Sequence, residues 1–171
     1  MKLFAQLLNE KNKCFVIHIL WLWISTKIPG TVTSAVTVVF IYIAYEILGY
    51  TDLKFSIIFF ILLFIYSFYA VKDAESEFKN KDPRQIVIDE VLGQSMPLIL
   101  LLYLSQTNQI SISIEIYYIL SFAFFRFFDI LKPFPVSYFD KNHKNYFGII
   151  IDDIMAGLYS MMLIYLISLK F

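Results

Sequence analysis

The chain has 171 residues, of which 59% are hydrophobic, 19% aromatic and only 16% charged, whereas soluble domains hold about 45–50% apolar and about 25% charged residues. That composition belongs to a membrane protein and excludes an ordinary soluble domain. Fourteen basic residues balance fourteen acidic ones, so bulk charge gives no reason to expect a nucleic-acid partner, and the lone Cys14 excludes an internal disulfide.

MKLFAQLLNEKNK opens the chain as a polar stretch with no small-residue cleavage site behind it, so a removed signal peptide is not expected. The apolar run CFVIHILWLW (Cys14 to Trp23) is too short to cross a bilayer and reads as a short interfacial or re-entrant helix, with Trp21 and Trp23 at headgroup depth. Cys14 does not fit the Cys-x5-Arg phosphatase loop, because position 20 is Leu20. Val32 to Gly49, broken only by Glu46, and Leu53 to Val71, broken only by Lys54, are each near the ~20 residues that a spanning helix needs. The three-residue link YTD between them makes an antiparallel hairpin.

A polar loop, KDAESEFKNKDPRQ (Lys72 to Gln85), leads to Ile86–Leu104, which is apolar apart from Asp89, Glu90 and a few small or polar residues and contains Pro97, a kink site. After the uncharged turn SQTNQIS comes Ile112–Phe128, with Glu115 inside and Arg126 near its end. Pro133 and Pro135 close that helix near Lys132, since a residue before proline is pushed out of helical geometry. A second polar loop precedes the last span, Gly148 to Leu169. The expected fold is therefore all-α: residues 1–171 as a single polytopic membrane bundle of about four to five transmembrane helices plus the short N-terminal helix.

With the N-terminus inside, Lys2, Lys11, Lys13, Lys27, Lys72, Lys79, Lys81, Arg84, Arg126, Lys132, Lys141 and Lys144 fall on the cytoplasmic side. Only Lys54 and Lys170 remain outside, a strong positive-inside bias. The same orientation gathers Asp89, Glu90, Asp129, Asp152 and Asp153 at the cytoplasmic face.

Two of these acids stand in IDEVLGQ and two in its near-echo IDDIMAG. An ionised residue at mid-bilayer costs roughly 2.5–3.5 kcal/mol on insertion scales, so clustered carboxylates near the interface need compensation by a divalent cation, by paired Lys or Arg, or by protons. Oxygen donors without nearby His or Cys suit Mg²⁺, Mn²⁺ or Ca²⁺ better than zinc. Gly93 and Gly157 follow Asp89 and Asp153 by four residues, on the same helix faces, where small residues let helices approach and bring the acids together. The alternative is that each pair simply complements the positive end of its helix.

FRFFDILKPFP (Phe125 to Pro135) adds Arg126, Asp129 and Lys132 at the same face. Arg126 and Asp129, at i and i+3, can pair with each other, Arg126 can snorkel, and Lys132 suits a helix end. Their functional alternative is to hold phosphate, because cations beside clustered acids are the parts of phosphoryl-transfer sites. Glu77 and Asp82 in the first loop are secondary candidates, with solvated loop charge as the simpler reading. His18 and His143 are isolated.

Taken together, DPRQIVIDEVLGQ (Asp82 to Gln94), FRFFDILKPFP and GIIIDDIMAG (Gly148 to Gly157) resemble the three signature blocks of the phosphatidylglycerophosphatase A family, and PGT (Pro29 to Thr31) resembles its N-terminal block. The resemblance implies a Mg²⁺-dependent, multi-pass lipid phosphatase of a bacterial inner membrane. Such an enzyme converts phosphatidylglycerophosphate to phosphatidylglycerol and phosphate, with its active site facing the cytoplasm. By matching positions it implies a functional set of Asp82, Asp89, Glu90, Arg126, Asp129, Lys132, Asp152 and Asp153. Within that set we expect metal ligation by Asp89, Glu90, Asp152 and Asp153, phosphate binding by Arg126 and Lys132, and catalytic roles for Asp89, Glu90, Asp129 and Asp153. The chain departs from the family where WLWISTKIPGTVTSAV lacks the usual glycines around PGT and where Asn145 and Tyr146 replace a Gly-Gly. Two rivals are a CDP-alcohol phosphotransferase, whose DGxxAR segment is absent here, and a divalent-cation transporter, whose acids belong nearer the midplane.

Overall fold

The computed structural model describes residues 28–77, 87–134, 136–138 and 146–170. The expected interfacial segment at Cys14 to Trp23 and the candidate Asp82 lie outside these residues. Five long helices follow one another: α1 (Pro29–Tyr42), which runs on into a π-helical turn (Ile43–Ile47), α2 (Leu53–Glu77), α3 (Ile88–Gln106), α4 (Ile114–Leu131) and α5 (Tyr146–Lys170). No strand occurs among the described residues, so the chain is all-helical, as its composition and periodicity implied.

Four of these helices are long and apolar enough to cross a membrane: α1 with its π turn, α2, α3 and α5. The 18 residues of α4 carry three charges, Glu115, Arg126 and Asp129. This helix packs one face, with Tyr117, Tyr118, Ser121 and Phe125 buried, against α5, α3 and α1, leaving Ile119, Phe127 and Ile130 exposed on the other. Contacts at both ends fix the directions. Gln106 at the end of α3 donates from Nε2 to the carbonyl of Thr51 at 2.9 Å, and Ser111, just ahead of α4, donates to the carbonyl of Ser168 at 2.5 Å. At the opposite end Lys132 reaches Asp152. Thus α1, α3 and α5 run one way and α2 and α4 the other, which is why the Pro29, Asp89, Lys132 and Asp152 regions meet at one end.

The short link between α1 and α2 is a built turn. Gly49 takes a left-handed conformation (φ 70°), one that L side chains avoid. Asp52 then caps α2, its Oδ1 accepting from the backbone N–H groups of Lys54 (2.9 Å) and Phe55 (3.1 Å). Glu46, the single charge in the first span, lies in the π turn and accepts a hydrogen bond from Tyr118 Oη at 3.1 Å.

α3 is the axis of the bundle: 56% of its spanning residues are buried, against 11% for α2, which turns most of its apolar surface outward. Away from the acids, Leu98, Leu101, Leu104, Tyr117, Tyr118 and Ile164 form one core cluster. Nearer them, Val71, Leu92 and Ile150 form a second. Pro97 sits inside α3 and has no N–H, so the Gly93 carbonyl loses its helical donor. Tyr117 Oη donates to the carbonyl of Pro97 itself at 3.0 Å.

The Gly93 carbonyl is also where α5 touches α3. A Cβ on Gly157 would stand 2.4 Å from that oxygen, and a Cβ on Gly93 would stand 2.5 Å from the carbonyl oxygen of Asp153 and 2.5 Å from the ring of Phe125. The two helices therefore meet backbone on backbone, as expected for small residues at a membrane helix interface, with Hα atoms pointing at carbonyl oxygens in weak Cα–H···O contacts.

Backbone cannot step aside as a side-chain tip can. Gly157→Ala is expected to destabilise the detergent-solubilised protein by about 1–3 kcal/mol. Met162→Ala, on the exposed side of the same helix, is expected to stay within about 0.5 kcal/mol. Thermal melts of the two variants check this, and equal shifts would remove the special role of the glycine contact.

Candidate active site at the acid-rich end

α3 starts at Ile88 with Val87 as its N-cap and no side-chain cap, so Asp89 and Glu90 are the acids of its first turn. α5 starts at Tyr146, two residues ahead of the expected boundary, which puts Asp152 and Asp153 at its seventh and eighth positions. The echoed pairs therefore differ in helical position. Macrodipole effects fade within the first turn, so that explanation is open to Asp89 and Glu90 and closed to Asp152 and Asp153. Locally the echo persists: Glu90 N–H donates to Asp89 Oδ1, and Asp153 N–H to Asp152 Oδ1, each at 3.1 Å.

The Gly93–Gly157 contact, one helical turn further along both helices, brings the pairs face to face. Asp89, Glu90 and Asp153 each offer a carboxylate oxygen within 4.8 Å of the other two. Asp89 and Asp153 are 8% and 5% exposed. No ion pair joins any of the three to a lysine or arginine among the described residues, and Glu90 Oε2 is buried without a hydrogen-bond partner. Asp129 stands beside Asp153 and Glu90, and Asp152 beside Asp89. An all-oxygen, acid-only donor set in no ion pair among the described residues fits a hard divalent cation.

The cations stand at the edge of this trio. Arg126 Nη1 pairs with Asp129 Oδ2 at 2.7 Å, the i, i+3 pairing open in the sequence, and also faces Ser34 Oγ at 3.5 Å. Its Nε is buried without a partner. Lys132 Nζ reaches Asp152 Oδ2 at 2.6 Å. Lys132 ends α4 in a left-handed conformation (φ 44°, ψ 59°), its N–H donating to Phe128 O. For a residue with a side chain, directly before a proline, such geometry costs about 1–3 kcal/mol and is typical of functional positions.

The structure thus brings together Asp89, Glu90, Arg126, Asp129, Lys132, Asp152 and Asp153, out of three helices. It also divides them: Asp152 stands outside the trio, engaged by Lys132. Glu77 is the last residue of α2, and Asp82 lies outside the described residues.

Three residues at this end were not singled out by sequence reasoning. Gly30 lies against Glu90 and Arg126, and Ser34 against Arg126; the PGT block was the available signal for Gly30, and Ser34 follows it by three residues. Gln94, fully buried one turn below Glu90, donates from Nε2 to Ser121 Oγ at 3.3 Å, and its place at the end of DPRQIVIDEVLGQ was the available signal.

Lys132 and Asp152 should behave as one unit. Lys132→Met and Asp152→Asn are each expected to lower the melting temperature in detergent, with the double variant falling no further than the worse single one. That corresponds to a coupling energy of about 1–3 kcal/mol in a double-mutant cycle. Additive losses would mean that the pair contributes nothing.

Comparison with known proteins agrees with this geometry. The family model for phosphatidylglycerophosphatase A matches residues 15–168, a range that includes all seven gathered residues. A phosphatidylglycerophosphatase A from Haemophilus influenzae is 34% identical over 140 residues, covering 82% of this chain and 78% of its own. A Bacteroides thetaiotaomicron protein with the provisional name phosphatidylinositol-3-phosphatase is 31% identical over 80% of each chain. The phosphatidylglycerophosphatase A of Escherichia coli is 45% identical over 47 residues, 28% of this chain and 27% of its own. No solved structure matches. With its matched blocks folded into one acid-rich end of a helical bundle, the chain belongs to the phosphatidylglycerophosphatase A family.

Proposed function

We propose that this protein is a Mg²⁺-dependent lipid phosphatase that hydrolyses the terminal phosphomonoester of phosphatidylglycerophosphate, giving phosphatidylglycerol and phosphate. The observation that carries the reading is the trio Asp89, Glu90 and Asp153, in no ion pair with a basic side chain among the described residues, beside two cations each held by its own carboxylate. The family supplies the reaction class, and the names of two relatives supply the lipid.

Asp89, Glu90 and Asp153 would hold the cation. Bound there, Mg²⁺ supplies neutralisation of phosphate charge and activation of water. Arg126 and Lys132 hold the phosphate oxygens and the charge that develops on them. Asp129 orients Arg126, and Asp152, the fourth ligand expected from the sequence, orients Lys132. Glu90, whose Oε2 has no protein partner, accepts the proton of the attacking water. Attack on phosphorus breaks the bond to the glycerol oxygen, which leaves with a proton from solvent. The acyl chains stay beside the apolar helices, so the headgroup alone needs to reach the acids.

The same reading puts the protein in the bacterial inner membrane with this site at the cytoplasmic face. Twelve of the 14 basic residues fall on one side of the expected topology, the side that the positive-inside rule makes cytoplasmic.

Phosphate release from phosphatidylglycerophosphate by detergent-purified protein tests the proposal. Release is expected with Mg²⁺ and not with a chelator, and Asp89→Asn and Asp153→Asn, folded by their melting curves, are each expected to lose at least about 100-fold. Release indifferent to chelation and to both substitutions would overturn the reading. Because one relative carries a phosphoinositide name, phosphatidylinositol 3-phosphate assayed in parallel identifies the preferred headgroup.

A further inference from the structure

We infer that Gly30 is a positioning residue of the acid site, where the absence of a side chain lets the amino end of α1 close against Glu90 and Arg126 and hold both in place. The inference rests on the metal-site reading above and adds α1 to the elements that build it.

A Cβ on Gly30 would stand 2.3 Å from Glu90 Oε1, 3.2 Å from Glu90 Cδ and 3.4 Å from Arg126 Nη1. What it meets is functional side chain. That separates Gly30 from Gly93 and Gly157, whose added Cβ atoms would meet backbone at 2.5 and 2.4 Å. One turn along the same helix, Ser34 donates from Oγ to the Gly30 carbonyl at 2.9 Å and faces Arg126 Nη1. A single turn of α1 therefore touches an acid of the trio and one of the two cations.

One atom of each group, Glu90 Oε2 and Arg126 Nε, is buried without a hydrogen-bond partner among the described residues. Packing against α1 therefore adds a restraint to the Asp129 pairing of Arg126 and the Asp89 contact of Glu90. α1 also has a use for the contact. It starts with Pro29, has no side-chain cap and has no acidic residue in its first turn. Glu90, arriving from α3, supplies the negative charge that a helix start favours. The carboxylate is thus held between the end of α1 and its partners Asp89 and Asp153.

This contact makes a distinction that ordinary packing would not. The atom that an added methyl meets is the tip of a flexible side chain, so the fold can absorb Gly30→Ala by swinging Glu90 aside, at the expense of the trio. The test uses full-length protein in detergent. It measures Mn²⁺ affinity by electron paramagnetic resonance, Mg²⁺-dependent phosphate release, and melting in chelator. Gly30→Ala is expected to weaken Mn²⁺ binding and phosphate release by about 10- to 100-fold, the range for disturbing the support of a metal ligand, with the chelated melt unchanged. In a Glu90→Asp background, whose shorter acid clears the added methyl, the same substitution is expected to cost nothing further.

Wild-type Mn²⁺ affinity in Gly30→Ala would overturn the inference, as would a loss that multiplies with that of Glu90→Asp, or a chelated melt that falls in step with activity. If Gly30→Ala alone does not fold, recovery of folding by Glu90→Asp supports the contact and failure to recover overturns it. A wild-type protein that neither binds Mn²⁺ nor releases phosphate defeats the metal-site reading, and this inference with it.

Discussion

The arrangement of this protein depends on one contact, the meeting of α3 and α5 with no side chain between them. In a bilayer, helices gain little by hiding apolar surface from equally apolar lipid, so close association rests on packing and on weak polar contacts between backbones. Gly93 and Gly157 provide both, and Pro97 contributes by leaving the Gly93 carbonyl without its helical donor. One turn away, that closeness is what holds Asp89 and Glu90 opposite Asp153. A methyl group at either glycine would separate the acids as well as the helices.

Holding carboxylates this near each other at a membrane surface is unfavourable unless positive charge arrives, and among the described residues no lysine or arginine forms an ion pair with the trio. Arg126 is tied to Asp129 and Lys132 to Asp152, two local pairs that leave Asp89, Glu90 and Asp153 facing one another. The division also explains why five acids stand here and not three. Two of them pair with Arg126 and Lys132. Lys132 takes a left-handed backbone at the end of α4, where a glycine would be easier on the chain but would carry no amine to Asp152.

Much of this was legible before the structure. Apolar run lengths gave the helices, YTD gave the hairpin, and the i+4 glycines gave the close approach of the two acid pairs. The family's motif blocks gave the seven residues that the fold gathers at one end. What stayed hidden lacked a local signal. Tyr146 and Phe147 look like the end of a polar loop, so the true start of α5 was missed, and with it the different helical positions of the two acid pairs. That Asp152 turns to Lys132 while its neighbour joins the trio follows from helix rotation, which adjacent identical residues cannot reveal. Gly30 lies 60 positions from Glu90 and 96 from Arg126, too far for any periodicity to connect them. Pairing of Glu46 with Tyr118 across the π turn was hidden for the same reason.

The position of α5 in the chain has a consequence for biosynthesis. Domains and helices emerge from the ribosome N-terminal end first, so α1 to α4 enter the membrane with Asp89 and Glu90 facing a partner that has not yet been made. Asp152 and Asp153, two of the five acids gathered at this end, and the helix that covers Gly93 arrive only with α5. No nascent chain that stops short of α5 holds the three carboxylates of Asp89, Glu90 and Asp153 together. Assembly of the Asp89, Glu90 and Asp153 trio therefore coincides with the docking of α5 against α3.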